Sequence, residues 1–510
     1  MQNLSKSLYT KGLQCTKALW LKKYNKEVLT PPSEQALSIF KIGDEVGALA
    51  CNLFPNGKEI PFDRDNIDGM IELTKQYLDE GVKDIYEATF KYEGVLVMVD
   101  ILHINDDGSV EIYEVKSSTW SAKKKISEIQ KYIEDASIQH YVLNGCGFEI
   151  KQTSIVLLNT DYIMGAKLDI DKLFSIVDVT KNVLALQENI PTTLQSFQDV
   201  LSDNEHEPDV DIGRHCKNPY ECDAMEYCWK VQREIPDYSV FNIFSLTAKS
   251  KALELYKRGI VKVEDIPDDF EMSQKQRNEV NAWKDQAEIV KKEEIQNFLN
   301  TITYPLYHFD FETYQNAVPM FERTNAFQKI PFQYSLHIEH ANGDVEHKEF
   351  LGKAGTDPRE ALVQRLVADI PTDVSVIAYH SSFEATILKE LSTVFPEHTE
   401  HLLTLASNLI DLEVPFANKS YWTPKMKGRS SIKVVLPALV PDMEKAYKEL
   451  ELVQNGGDAM NIFPLLVELP QEQKDRYRCA LLKYCELDTL AMVKVLEKLK
   501  YYCNQSAFTK

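Results

Sequence analysis

The sequence predicts a mixed α/β protein divided into several domains, and three observations carry that reading. Short apolar, β-branched runs alternate with stretches of helical periodicity toward both ends of the chain, the pattern of sheets covered by helices. At 510 residues the chain exceeds what one hydrophobic core supports, so roughly two to four domains are expected. Its 44% hydrophobic and 26% charged residues are the composition of a folded chain rather than a disordered one.

The elements fall into three segments. In residues 1–232, strands are predicted over Gly94–Ile104, Val110–Val115 and Ser154–Leu158, and a helix over Ser127–Leu143. Asn105-Asp106-Asp107-Gly108 supplies the turn that makes a hairpin of the first two strands. An acidic loop, Ser202 to Asp211, then leads into Cys216. Residues 233–300 read as a helical linker: a helix from Leu246 stopped by Gly259, then helical spacing from Gln274 to Leu299. Residues 301–510 resume the alternation, with strands over Leu306–Phe311, Phe332–Ile338 and Val374–Ala378 and helices over Pro358–Ala368 and Gln471–Lys500.

Composition narrows the classes of function. No apolar run approaches the roughly 20 residues that cross a bilayer, and MQNLSKSLYTKGLQCTKALW lacks the apolar core of a signal peptide; a cytoplasmic protein with no membrane partner is expected. The net charge of −21 excludes a uniformly basic surface but not a nucleic-acid partner, because basic residues can be local. Lys123-Lys124-Lys125 reads as a solvated face. Lys425, Lys427, Arg429 and Lys433 have the better claim, since Tyr421 and Trp422 precede them.

Two acidic constellations and one set of cysteines carry chemistry. Glu114 and Lys116 leave the same face of a strand, with α-carbons about 6.6 Å apart, and the hairpin brings Asp100 beside them. Two carboxylates there suit Mg²⁺ or Mn²⁺, which prefer oxygen ligands, and Lys116 can orient water or meet charge on a phosphate. Asp100 interrupts the apolar run VLVMVDIL, where an unpaired carboxylate is costly. Near the other end, Asp310 and Glu312 share a strand face, and Tyr484 and Asp488 share a helix face about 6 Å apart along its axis. Glu384 lies between them in the chain. Together the four carboxylates would make a two-metal site for in-line phosphodiester hydrolysis, with Tyr484 positioning the water.

Cys15 stands alone, whereas Cys216, Cys222 and Cys228 are spaced by six, unlike the CxxC pairs of zinc ribbons. Six residues turn a helix by about 600°, so these three belong on a winding loop. A disulfide framework is not expected in a cytoplasmic chain. Buried thiols, structural zinc and a four-thiolate iron–sulfur cluster remain open on spacing alone.

Asp100, Glu114 and Lys116, followed by Gln139 in IEDASIQHY, resemble the PD-(D/E)XK nuclease superfamily, in particular its RecB-like branch and the CRISPR-associated iron–sulfur exonucleases. The resemblance implies that Gln139 joins the site and that Cys15, Cys216, Cys222 and Cys228 hold a 4Fe-4S cluster. It also implies a His or Glu on an earlier helix, a place for which Glu45 in Gly43-Asp44-Glu45-Val46-Gly47 is the candidate. FDFET and YCELD resemble the DEDD (DnaQ-like) 3'-5' exonucleases of the ribonuclease H-like fold, in the subtype with Tyr in the last motif. The middle motif departs, with His380 for the usual Asn and Glu384 for the usual Asp, and Asp411 is an auxiliary acid. Over its length, through segments such as HCKNPYECDAMEYCW and GRSSIKVVLPAL, the chain resembles a bacterial family joining the two modules. That resemblance implies a metal-dependent nuclease of exonuclease type acting on DNA, with RNA as the second candidate. The competing expectation is a nucleic-acid binding or scaffold protein in which one or both sites are inactive.

Overall fold

The computed structural model describes residues 4–243, 245–246 and 250–504. It is mixed α/β and packs as two compact units, Met1–Glu234 with Asn316–Gln328, and Ile235–Gln315 with Lys329–Lys510. Among the described residues no helix is long and apolar enough to cross a membrane.

The first unit is built on seven described strands: β1 (Leu4–Ser5), β2 (Lys58–Glu59), β3 (Asp84–Tyr92), β4 (Val95–Ile104), β5 (Val110–Trp120), β6 (Ile150–Asn159) and β7 (Phe174–Asp178). They run in space as β2-β3-β4-β5-β6-β7, with β1 added parallel to the start of β4. β3, β4 and β5 are antiparallel, and β5 to β6 is a parallel step made through the helix Gln130–Gly145. The alternation in β4 explains its placement. Val95, Val97, Val99 and then Leu102 join Ile138 and Val142 of that helix in one cluster, whereas Ile101 packs in another, so the alternation changes phase at Asp100 and leaves it beside Glu114. The hairpin turn is where the sequence puts it, with Gly108 at φ +85°, a conformation that suits glycine. β5 runs five residues beyond its expected end because its register shifts between Lys116 and Thr119 and pairing with β6 then resumes. That bulge lies immediately after Lys116, where an extra residue re-aims the neighbouring side chains.

The second unit holds a two-stranded ribbon of β8 (Ile289–Val290) and β14 (Tyr421–Trp422) and a five-stranded sheet. The sheet comprises β9 (Leu306–Gln315), β10 (Lys329–Glu339), β11 (Val345–Leu351), β12 (Ser375–Ala378) and β13 (Leu409–Asp411). Its order is β11-β10-β9-β12-β13, antiparallel through β9 and parallel beyond it. A 34-residue helix, Gln471–Asn504, lies along β9 and β10.

The segment 233–300 departs from expectation in one place. Gln274 to Leu299 is two helices, Gln274–Lys284 and Lys292–Leu299, separated by β8. The first stops because Gln286 turns to φ +50° and the Ala287 N–H returns to the Ala282 carbonyl at 2.9 Å, the closing bond of a helix that ends on a left-handed residue. The expected helix from Leu246 is described over Lys251–Lys257 and ends at Gly259; residues 247–249 lie outside the described residues. These helices share one core with the sheet: Leu255, Val280 and Ile295 pack in the same cluster as Leu306, Ile377 and Trp422.

Candidate functional site

In the first unit the hairpin brings Asp100 and Glu114 together, as their spacing predicts. Asp100 Oδ2 accepts the Val115 N–H at 2.7 Å. The buried Glu114 carboxylate accepts from Lys6 Nζ at 2.9 and 3.1 Å, Lys116 Nζ at 2.5 Å and Gln139 Nε2 at 2.5 Å. Lys116 also reaches Asp135 Oδ2 at 2.5 Å. Burial pushes the Glu114 carboxyl up, but the ammonium groups of Lys116 and Lys6 outweigh it and hold the group well below the usual carboxylate range. Asp100 goes the other way. Burial, then the charge on Glu114, raises it to about 7. The two carboxyls of this site are thus shifted in opposite directions, Asp100 toward the neutral form and Glu114 toward the charged one.

Three members of this site were not legible in the sequence. Asp135 lies one helical turn before Gln139, an i,i+4 spacing that could have revealed it. Glu87 falls opposite Asp100 in the β3–β4 ladder, between the pairs Tyr86↔Ile101 and Ala88↔Val99, with φ +58°; burial raises its pKa. Lys6 has no local signal, because only the pairing of β1 with β4 delivers it. Glu45 stands outside the group: it is exposed and pairs with Lys41 at 3.8 Å, because its position on the helix Glu34–Ala50 turns it to solvent. Asp44, beside it, is the residue whose charge reaches Glu87.

The four cysteines converge from two distant stretches. Cys15 joins the helices Lys6–Gln14 and Thr16–Tyr24; Cys216 lies in the turn Arg214–Lys217 and Cys228 in the π-helical turn Glu226–Val231. All four line one cavity, with His215 and Met225 beside them. Polar ties fix the approach: Lys11 Nζ meets Asp223 at 2.7 Å, and Gln14 Nε2 donates to the carbonyls of His215 and Tyr220, both at 2.8 Å.

In the second unit Asp310 and Glu312 project from β9 toward the long helix. Their carboxylate oxygens and the Cys485 sulfur all lie within 4.8 Å of one another, and Cys485 Sγ is 4.0 Å from Asp310 Oδ2. Asp488 Oδ1 accepts from the Tyr447 hydroxyl at 2.5 Å and the carboxyl also bonds Tyr484. Burial, then the charge of Asp488, raises Asp310 well above its ordinary value; burial and the same neighbour raise Glu312. Burial raises Asp488 to about 6 and Glu384 to about 8. Glu384, 2% exposed, leaves Oε2 without a hydrogen-bond partner. The Lys433 charge opposes these shifts at Glu312 and Asp488, which brings one member of the Lys425–Lys433 basic stretch to the site. Four carboxylates with so little countercharge form a well for cations.

The departures in the middle motif have a structural account. His380, at φ +64°, turns outward, and its Nδ1 meets Glu413 Oε2 at 2.8 Å. Asp411 Oδ1 accepts the N–H groups of His380 and Glu413 at 3.0 and 2.9 Å, so this acid closes the turn after β12 and β13. Gly456 opens the helix Gly456–Leu465 beside the carboxylates. A Cβ there would stand 3.5 Å from Glu312 Oε2 and 3.8 Å from the Tyr484 hydroxyl oxygen.

A domain of unknown function (DUF2779) matches residues 307–431, a span that holds Asp310, Glu312 and Glu384 but ends before Tyr484 and Asp488. The chain is 25% identical over 234 residues to the uncharacterized protein MG366 of Mycoplasma genitalium, which covers 42% of this chain and 35% of that protein. It is 26% identical over 234 residues to the MG366 homolog of Mycoplasma pneumoniae. A third relative, the uncharacterized protein UU173 of Ureaplasma parvum, is 23% identical over 292 residues, which is 52% of this chain and 41% of that protein. The chain thus spans less than half the length of the relatives it matches.

Proposed function

We propose that this chain is a metal-dependent nuclease that hydrolyses phosphodiester bonds of DNA, with RNA as the alternative substrate, at two sites. The observation that carries the reading is the gathering of Asp310, Glu312, Glu384 and Asp488, each with its carboxyl raised by burial, and with Asp310 and Glu312 raised further by the charges of Asp488 and Glu384. Such a set is costly in the metal-free protein and is relieved by divalent cations. The sheet order β11-β10-β9-β12-β13 accords with the ribonuclease H-like fold expected from FDFET and YCELD. In the first unit the grouping of Asp100, Glu114, Lys116 and Gln139 accords with the PD-(D/E)XK expectation.

Mg²⁺ or Mn²⁺, if bound, would be held by these carboxylates and would supply Lewis acidity and a water that loses its proton more readily than free water. The chain's own residues do the rest. The Tyr484 hydroxyl, its pKa raised by burial and by Asp488, keeps its proton and can hold a water beside Asp488. Lys116 keeps its positive charge, since Glu114 and Asp135 outweigh the effect of burial, and can face a phosphate oxygen.

The four thiols suit a 4Fe-4S cluster better than zinc. Tetrahedral zinc brings its sulfurs to about 3.8 Å of one another, yet among the described residues no three cysteine sulfurs lie mutually within 4.8 Å. A polynuclear cluster holds each thiolate on a separate iron and spreads them farther apart. Such a cluster would act structurally here, joining residue 15 to the loop 216–228.

The deciding experiment uses end-labelled single- and double-stranded DNA and RNA with Mg²⁺ or Mn²⁺, comparing wild type, Asp100→Ala and Asp310→Ala. Loss confined to one variant identifies the working site, and no cleavage of any substrate by the wild type overturns the reading. The saturation of Glu114 by Lys6, Lys116 and Gln139 favours a second reading for the first unit, a nucleic-acid binding module. There Asp100→Ala would leave cleavage unchanged.

A further inference from the structure

We infer that Cys485 is a protein ligand of a divalent cation seated between Asp310 and Glu312, and that its sulfur gives this position a preference for Zn²⁺ or Co²⁺ over Mg²⁺. The inference rests on the reading of the second unit as a metal site and specifies which ion it favours. Among the described residues, Asp310, Glu312 and Cys485 are the trio whose candidate ligand atoms all lie within 4.8 Å of one another. The Sγ–Oδ2 separation of 4.0 Å is close to the distance across a shared ion. Bonds of about 2.3 Å to sulfur and 2.1 Å to oxygen at a tetrahedral angle place the two ligand atoms about 3.6 Å apart. A shift of a few tenths of an ångström closes the difference. Both partners are held on regular elements, Asp310 within β9 and Cys485 within the helix Gln471–Asn504.

The plainer alternative is that Cys485 is a small core residue, as buried free cysteines usually are. Two observations stand against it. Its S–H reaches Asp310 Oδ2 only at 4.0 Å, a weak bond that an inert core position would not need. Independently, Glu384 is 2% exposed, its Oε2 has no hydrogen-bond partner, and its charge bears on both Asp310 and Glu312. A buried carboxylate oxygen left without a partner at this point calls for a cation. Oxygen ligands alone suit Mg²⁺, whereas one thiolate shifts the order toward softer first-row ions. On coordination the S–H bond is exchanged for a sulfur–metal bond and the proton leaves to solvent, with no change of oxidation state.

The test is Co²⁺ binding to the full-length protein followed by optical absorption, comparing wild type with Cys485→Ser and with Asp310→Asn. The four cysteines of the first unit are present in all three proteins, so their contribution cancels in the difference spectra. The expected result is a sulfur-to-cobalt charge-transfer band in the wild type minus Cys485→Ser difference. A fall of at least about tenfold in Co²⁺ affinity relative to Mg²⁺ should accompany it. If Asp310→Asn removes a bound Co²⁺ but Cys485→Ser changes neither band nor preference, the thiol is not a ligand and the inference falls, while the carboxylate metal site stands. If Asp310→Asn also changes nothing, the metal-site reading of the second unit falls with it. Unaltered melting of Cys485→Ser without metal separates loss of a ligand from loss of the fold.

Discussion

Glu384 shows at one residue what burying a carboxyl without a partner costs. Its carboxyl is buried, its Oε2 lacks a partner, and its pKa is raised from 4.5 to about 8. The folded state therefore binds the proton more tightly than the unfolded one, and ionising the group costs stability as pH rises from about 4.5 toward about 8. Glu384→Gln removes that cost. It is expected to stabilise the metal-free protein at pH 8 by roughly a few kcal/mol, read by thermal or denaturant unfolding. If Glu384 helps hold the proposed metal, the substitution should lower any cleavage that depends on Asp310 by about 100-fold or more; a variant that is stabilised yet fully active would remove Glu384 from the site. Period-two spacing made Glu114, Lys116, Asp310 and Glu312 legible in the sequence, since residues two apart on a strand share a face, and the hairpin turn made Asp100 legible. Lys6 and Glu87 were not legible, because they reach the site only through strand pairing across long stretches of chain.

At the scale of elements, two features carry consequences. The helix Gln274–Lys284 ends with Gln286 at φ +50°, a conformation that costs a residue with a Cβ about 1 kcal/mol or more and glycine much less. Gln286→Gly should therefore raise the melting temperature of the second unit; an unchanged or lower value would show that the Gln side chain holds the turn. The sequence here has helical spacing on both sides and no glycine at the stop, which is why one continuous helix was expected. The second feature is the helix Lys6–Gln14, which begins at the Glu114 carboxylate and ends at Cys15. If the four thiols hold the proposed cluster, Cys15→Ser in protein purified anaerobically is expected to reduce hydrogen-exchange protection over residues 4–14 and at the start of β4, with Cys222→Ser giving the same pattern. Protection unchanged in both would mean that the polar ties of Lys11 and Gln14 suffice. Strongly periodic elements such as β4, β10 and the long helix were legible, whereas β3, in which charged and apolar residues mix without strict alternation, was not.

For the molecule as a whole, pH and metal should act together on the second unit. Asp488, raised from 3.8 to about 6, and Glu384, raised to about 8, both favour the protonated folded state, so metal-free stability should fall between about pH 4 and pH 8 and level off above. Added Mn²⁺ or Co²⁺ should restore most at the upper end, where the carboxylates are ionised and free to bind. Calorimetric scans at pH 5 and pH 8 with and without metal read this directly, and a metal-free protein equally stable at both would refute it. The strand and helix alternation foretold the architecture, but its division did not follow from the chain order, since Asn316–Gln328 packs with the first unit. The residues around Cys15 have a further consequence, in time rather than space. Cys15 precedes Cys216 by 201 positions, which at about 5–20 residues per second is roughly 10–40 s of synthesis. The segment that sets Lys6 against Glu114 is thus made well before the loop that anchors it.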